Sequence, residues 1–76
     1  MSQGQETVLE CINRHPEGIT TSGIVDELFP GADYWLRMQM RNRTHRYCRI
    51  LAKYGAVRQI VAGNGQRSVW GPVTDY

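Results

Sequence analysis

From Arg37 to Gly55 the chain sets six arginine or lysine side chains and one histidine among nineteen residues. Arg37, Arg41, His45, Arg49 and Lys53 repeat every fourth position, and Arg46 stands beside them. On a helix such a row drifts slowly around the cylinder and forms a broad positive stripe. Cations in this number neutralise phosphates and release counterions, the sequence-independent part of nucleic-acid binding. Arginine also bonds guanine bidentately, as asparagine and glutamine bond adenine. Gln39 and Asn42 lie within the same stretch. No acid occurs between Asp33 and Asp75. A merely solvated helix more often mixes Glu with Lys in pairs four residues apart.

Other chemistry is poorly served. Cys11 and Cys48 lie far apart, with no second cysteine or spaced histidine nearby for zinc. They read as two reduced, half-buried thiols on helices. His15 and His45 fall on different elements, with no local Cys or Asp completing a metal site. His15 reads as a satisfied helix-end residue, and His45 adds charge to the basic row at low pH. No Ser-His-Asp, Cys-His or paired-carboxylate arrangement is visible, and the chain is short for an enclosed active site. The expectation is no enzyme activity, no cofactor and no metal.

With 76 residues there is room for one domain. A domain this small buries about 60 % of the surface its unfolded chain exposes, so its stability is marginal. An apolar share of 41 % argues against disorder. No apolar run approaches the roughly 20 residues of a membrane span. The opening "MSQGQETVLE" lacks the charged and apolar regions of a signal peptide. A soluble cytoplasmic protein without membrane association is expected. Net charge is +2, yet residues 1–34 sum to −5 (six acids, one base) and residues 35–76 to +7 (eight bases, one acid). That asymmetry points the second half toward a polyanionic partner.

The elements that must position the basic row follow from periodicity. "ETVLECINRH" carries Val8, Leu9, Cys11, Ile12 and His15 at helical spacing, and Pro16 ends it. "PEG" is a turn, and Ile19 begins a short extended piece. "TTSGIVDELF" is a second helix with Thr20 or Thr21 as its cap and Ile24, Val25, Leu28 and Phe29 as its apolar face. Pro30-Gly31 stops it, and Asp33 caps a third helix from about Tyr34 to Tyr54. On that helix Leu36, Met40, Tyr47, Ile50, Leu51 and Tyr54 gather on one side. Arg43 falls inside this arc, so a break near "NRT", with Asn42 or Thr44 capping a second segment, is the alternative. Gly55 is a natural C-terminal cap. "AVRQIVA" and "RSVWG" are β-rich runs joined by the turn "GNGQ". Trp35 and Met38 fall on the polar side of the wheel and are expected to be covered by the "FPGAD" turn. The other readings for them are thymine methyls or a second protomer. Trp70 is expected in or near the core.

The order helix, short strand, helix, helix, strand, turn, strand, with these residues, resembles a winged helix-turn-helix domain. "VLECINRHPEGITTSGIVDEL" is similar to the opening of winged-helix regulators of the MarR and IclR kind. "RILAKYGAVRQI" is similar to the end of their recognition helix passing into the wing. The resemblance covers roughly residues 5–71. It implies an α+β fold in a single domain spanning 1–76: three packed helices and a C-terminal β-hairpin wing, with a third short strand near Ile19. It also implies a transcription regulator that binds double-stranded DNA, sequence-specifically or generally. The third helix would enter the major groove, with Arg37, Arg41 and Asn42 at bases and His45, Arg46, Arg49 and Lys53 nearer phosphates. The wing would offer Arg67 from its tip and Arg58 from its partner strand. A homodimer is in keeping with this, because a lone small module reads few base pairs. The alternatives are a protein-interaction adaptor docking an acidic protein partner through the same stripe, and an accessory protein of a virus or mobile element.

Overall fold

The computed structural model describes residues 1–61 and 68–73. They form α1 (Gln3–Asn13), β1 (Ile19–Thr20), α2 (Thr21–Leu28), α3 (Tyr34–Lys53), β2 (Val57–Val61) and β3 (Ser68–Pro72). This is a small α+β architecture of three helices and a three-stranded antiparallel sheet of order β1-β3-β2. The turn "GNGQ" and Arg67 lie outside the described residues.

Each helix begins where a side chain accepts an orphan backbone N–H. At α1 this is Ser2, whose hydroxyl takes the Gln5 N–H while the Gln5 side chain returns to the Ser2 N–H. The helix therefore starts about one turn earlier than the apolar periodicity indicated. At α2 the cap is Thr20 rather than Thr21, with Thr20 Oγ1 accepting from Gly23 at 3.0 Å. At α3 Asp33 accepts from Leu36 at 2.9 Å. The far end of α3 closes on Gly55, at φ +79°. There the Ala56 N–H reaches the Leu51 carbonyl and the Gly55 N–H the Ala52 carbonyl, which satisfies two orphan acceptors. The helix runs unbroken through "NRT", so neither Asn42 nor Thr44 caps a second segment.

The core lies where α1, α2, α3 and the inner face of the sheet meet. Val8, Cys11, Ile12, Ile24, Cys48, Leu51, Val57 and Trp70 are its buried members. Burying one large member such as Leu51 or Ile24 stabilises by about 1.5–3 kcal/mol. Both cysteines are free and wholly buried, not half-buried as expected.

The inner seam of α3 differs from the expected one. Thr44, Cys48 and Leu51 are buried, and Arg37 lies in line with them two to four turns upstream. Leu36 and Tyr54 are exposed, at 43 % and 72 %. At about 100° per residue the seam sits roughly 70° around the helix from the face that apolar residues alone select. Arg43 is exposed, to the side of the seam.

Trp70, 1 % exposed, ties three elements together. Its indole N–H donates to Thr21 Oγ1 at 2.9 Å, and its ring meets His45 edge-on with centroids 5.6 Å apart. Among the described residues no buried side-chain polar atom lacks a partner. No helix among them is long and apolar enough to cross a membrane.

Candidate nucleic-acid interface

The basic row behaves as a spiral. Successive steps of four residues advance by about 40° past a full turn. The row leaves the seam at Arg37 and reaches open solvent by Arg49 and Lys53. Arg37 is accordingly half-buried and ion-paired with Asp26 on α2. It fastens α3 to α2 and is not an open cation. Arg41 flanks the seam and is exposed. His45 is half-buried, with its Nδ1 3.5 Å from the Thr21 hydroxyl. It belongs partly to the Trp70 node and not wholly to the solvent row.

The face of α3 opposite the seam carries Trp35, Met38, Asn42, Arg46, Arg49 and Lys53, all exposed. None of Arg41, Arg46, Arg49 and Lys53 has a carboxylate within 4.0 Å among the described residues, whereas Arg14 and Arg37 do. Trp35 is 72 % exposed and Met38 37 % exposed. The "FPGAD" turn does not cover them, which corrects the expectation. The reason is geometric for Trp35, which lies about half a turn from the side of α3 that meets α2; Met38 borders the α2–α3 hollow with Arg37 and Arg41 and stays partly open there.

Two adjoining hollows flank this face. One, of about 330 Å³, is lined by Thr20, Thr21, Ser22, Arg41, Asn42, His45 and Ser68. The N-terminus of α2, capped by Thr20, borders it, so the positive end of a helix dipole lies there. The second, open and about 720 Å³, runs along Asn42, His45, Arg46, Arg49 and Lys53. Asn42 and His45 border both. The helix N-terminus in this hollow was not identified from the sequence, although Thr20 signalled the start of α2.

Arg58 does not join the group. It pairs with Gly71 on β3, alternates with buried Val57, and so faces away from the core side of the sheet. Arg67, the wing's candidate, lies outside the described residues.

A second cluster sits on the other side of the molecule, where α1 ends against α2. Glu27 accepts from the Cys11 thiol at 2.9 Å and from Arg14 at 2.7 Å. His15 Nε2 lies 2.7 Å from its other oxygen, and His15 Nδ1 lies 3.1 Å from Glu17. These three partners hold the Glu27 carboxyl down at about 2. Burial, and then the Glu27 carboxylate, push the Cys11 thiol up to about 12. Hydrogen bonds to Glu27 and Glu17 raise the His15 imidazole. Cys11 and His15 are four apart in the sequence, which corrects the expectation that neither has a metal-ligating residue near it. Glu27 arrives from another helix, which the sequence did not show.

Comparison with protein-family models, with curated proteins and with solved structures returns no match for this chain.

Proposed function

We propose that this chain is a winged helix-turn-helix module that binds duplex DNA and serves as a transcription regulator. The observation that carries the reading is the outward face of α3. There Arg46, Arg49 and Lys53 stand beside Asn42, with Arg41 at the edge of the adjoining hollow, and none of these four cations has a carboxylate partner among the described residues. Helix α3 would lie in the major groove. Arg41 and Asn42 in its N-terminal half would meet base edges, and Trp35 and Met38 thymine methyl groups. Arg46, Arg49 and Lys53 would meet one phosphate strand. The hollow at the start of α2 would take a phosphate from the other. Arg37 and Arg58 are left out of the contact set. The element order, with a short strand before α2 and two strands after α3, supports the fold assignment.

Fluorescence anisotropy of a labelled random duplex across a salt series tests this. Each phosphate contact contributes about −0.9 to the slope of log K against log salt. Changing Arg46 and Arg49 together to Gln should flatten the slope by about 2. Binding undetectable at low salt, or a slope unmoved by the double change, argues against the reading.

A second reading, a protein-interaction module of the same fold, is favoured by one feature. Phe29, Tyr34, Trp35, Leu36 and Met38 are all exposed around the α2–α3 junction. Large apolar side chains grouped in this way mark contact surfaces. Sedimentation equilibrium on wild type and Trp35→Ala separates self-association from a monomer.

A further inference from the structure

We propose that Cys11, His15 and Glu27 bind a borderline-soft divalent cation, with Zn²⁺ the best-matched occupant, at the junction of α1 and α2. The inference is independent of the nucleic-acid reading.

One ligand atom from each of the three residues lies within 4.8 Å of the other two. The set is one sulfur, one imidazole nitrogen and one carboxylate oxygen, the three donor types that Zn²⁺ takes. Magnesium and calcium would shun the sulfur. His15 is already oriented for the task. Its Nε2 faces Glu27 at 2.7 Å, while Nδ1 is held by Glu17 at 3.1 Å. A carboxylate on the far nitrogen is the usual support of a metal-bound histidine. Charge also balances. A thiolate and a carboxylate neutralise a divalent ion, and the neighbouring Arg14 and Glu17 offset each other. Arg14 lies on Oε2 of Glu27, so Oε1, the oxygen facing His15, is the one turned to the ion.

Forming the site needs little movement. Tetrahedral ligands around Zn²⁺ stand about 3.4–3.6 Å apart, given the metal–ligand lengths. The present Sγ–Oε2 and Nε2–Oε1 separations are 2.9 and 2.7 Å. The Nε2–Oε1 pair therefore opens by about 0.7 Å, and the sulfur, which lies within 4.8 Å of the other ligand atoms, adjusts to the same spacing by side-chain rotation. The Cys11 Sγ–H and His15 Nε2–H bonds break, both protons go to solvent, and bonds to the metal replace them, while Nδ1–H still donates to Glu17. The ion enters from the solvent side, where the His15 and Glu27 side chains are 26 % and 34 % exposed, and a water takes the fourth position.

Co²⁺ titration of the reduced full chain is the test, because a thiolate–cobalt bond gives a charge-transfer band that nitrogen and oxygen ligands do not. We expect this band at one Co²⁺ per chain, and its loss on adding Zn²⁺. The band should vanish in Cys11→Ser and persist in Cys48→Ser. His15→Gln, its fold checked by circular dichroism, should weaken Co²⁺ binding at least tenfold. Glu17→Gln, a positioning change, should weaken it about ten- to hundredfold with the band's shape retained. No band in the wild type overturns the proposal. So does a band surviving in Cys11→Ser, or His15→Gln binding as tightly as wild type.

Discussion

Replacing Thr21 by valine removes one oxygen and nearly nothing else. That oxygen accepts the Trp70 indole N–H at 2.9 Å. Thr21 is 8 % exposed and Trp70 1 % exposed, and the valine methyl fills the hydroxyl's place, so the indole N–H is left without a partner. The His45 ring nitrogen, 3.5 Å from the same hydroxyl, is too distant to contribute much. The cost is then that of leaving one buried donor unmade, about 1–3 kcal/mol. Small domains sit near the low end of the usual 5–15 kcal/mol, so a loss of about 2 kcal/mol is large. With a urea slope of about 1 kcal/mol/M for so short a chain, the midpoint should fall by about 2 M. Urea unfolding followed by far-ultraviolet circular dichroism measures it. Thr21→Ser, which keeps the oxygen, should cost less. The decisive arm is a double-mutant cycle with Trp70→Phe. Once the donor is gone, Thr21→Val should cost under about 0.5 kcal/mol. An equal cost in both backgrounds would refute the hydrogen-bond explanation and assign the loss to shape or to the start of α2.

Further outcomes follow from the same geometry. Gly18→Ala should destabilise more than Gly55→Ala. Both have positive φ, +98° and +79°, but a Cβ at Gly18 would also stand 2.8 Å from Val69 Cγ1, while Gly55 faces open space. The αL penalty alone is about 1–2 kcal/mol, and thermal unfolding of the two variants ranks them. Asp33→Ala removes the cap of α3 and should cost about 1 kcal/mol in the same assay. The Cys48 thiol, wholly buried and pushed up to about 12 by that burial, should resist alkylation at neutral pH until the chain opens. Labelling of Cys11→Ser with a thiol reagent should then track unfolding, and rapid labelling of the folded chain would contradict the burial.

Much of the scaffold could be read from local signals, because caps and turns depend on few residues. Asp33 and Gly55 bound α3 as expected, Ile19 begins a short strand, β2 and β3 pair antiparallel within the β-rich runs, and Trp70 is buried. The Ser2-x-x-Gln5 pattern at the start of α1 is an equally local signal. What failed was the rotation of α3. Its seam is built from Arg37, Thr44, Cys48 and Leu51, of which only Leu51 is strongly apolar. A hydrophobic wheel turns toward Leu36 and Tyr54 instead, yet these sit near the helix ends. At 1.5 Å per residue α3 runs about 30 Å and α2 about 12 Å, so the shorter partner cannot cover both ends. Arg37 pairing with Asp26, and Glu27 meeting Cys11 and His15, are contacts between helices that no single-helix pattern contains. Of the basic row, Arg41, Arg46, Arg49 and Lys53 are exposed, as is Asn42, while Arg37 and His45 are drawn into contacts with α2.

The two indoles of this chain sit at opposite extremes, Trp70 sealed in the core and Trp35 nearly bare at the head of α3. Light emission thus comes in two separable parts. Trp70 should emit at shorter wavelength, be shielded from iodide, and change only when the domain melts. Trp35 should emit at longer wavelength, be quenched freely, and dim or shift as soon as anything settles on that face. A single cuvette, without any attached dye, can therefore tell docking from denaturation.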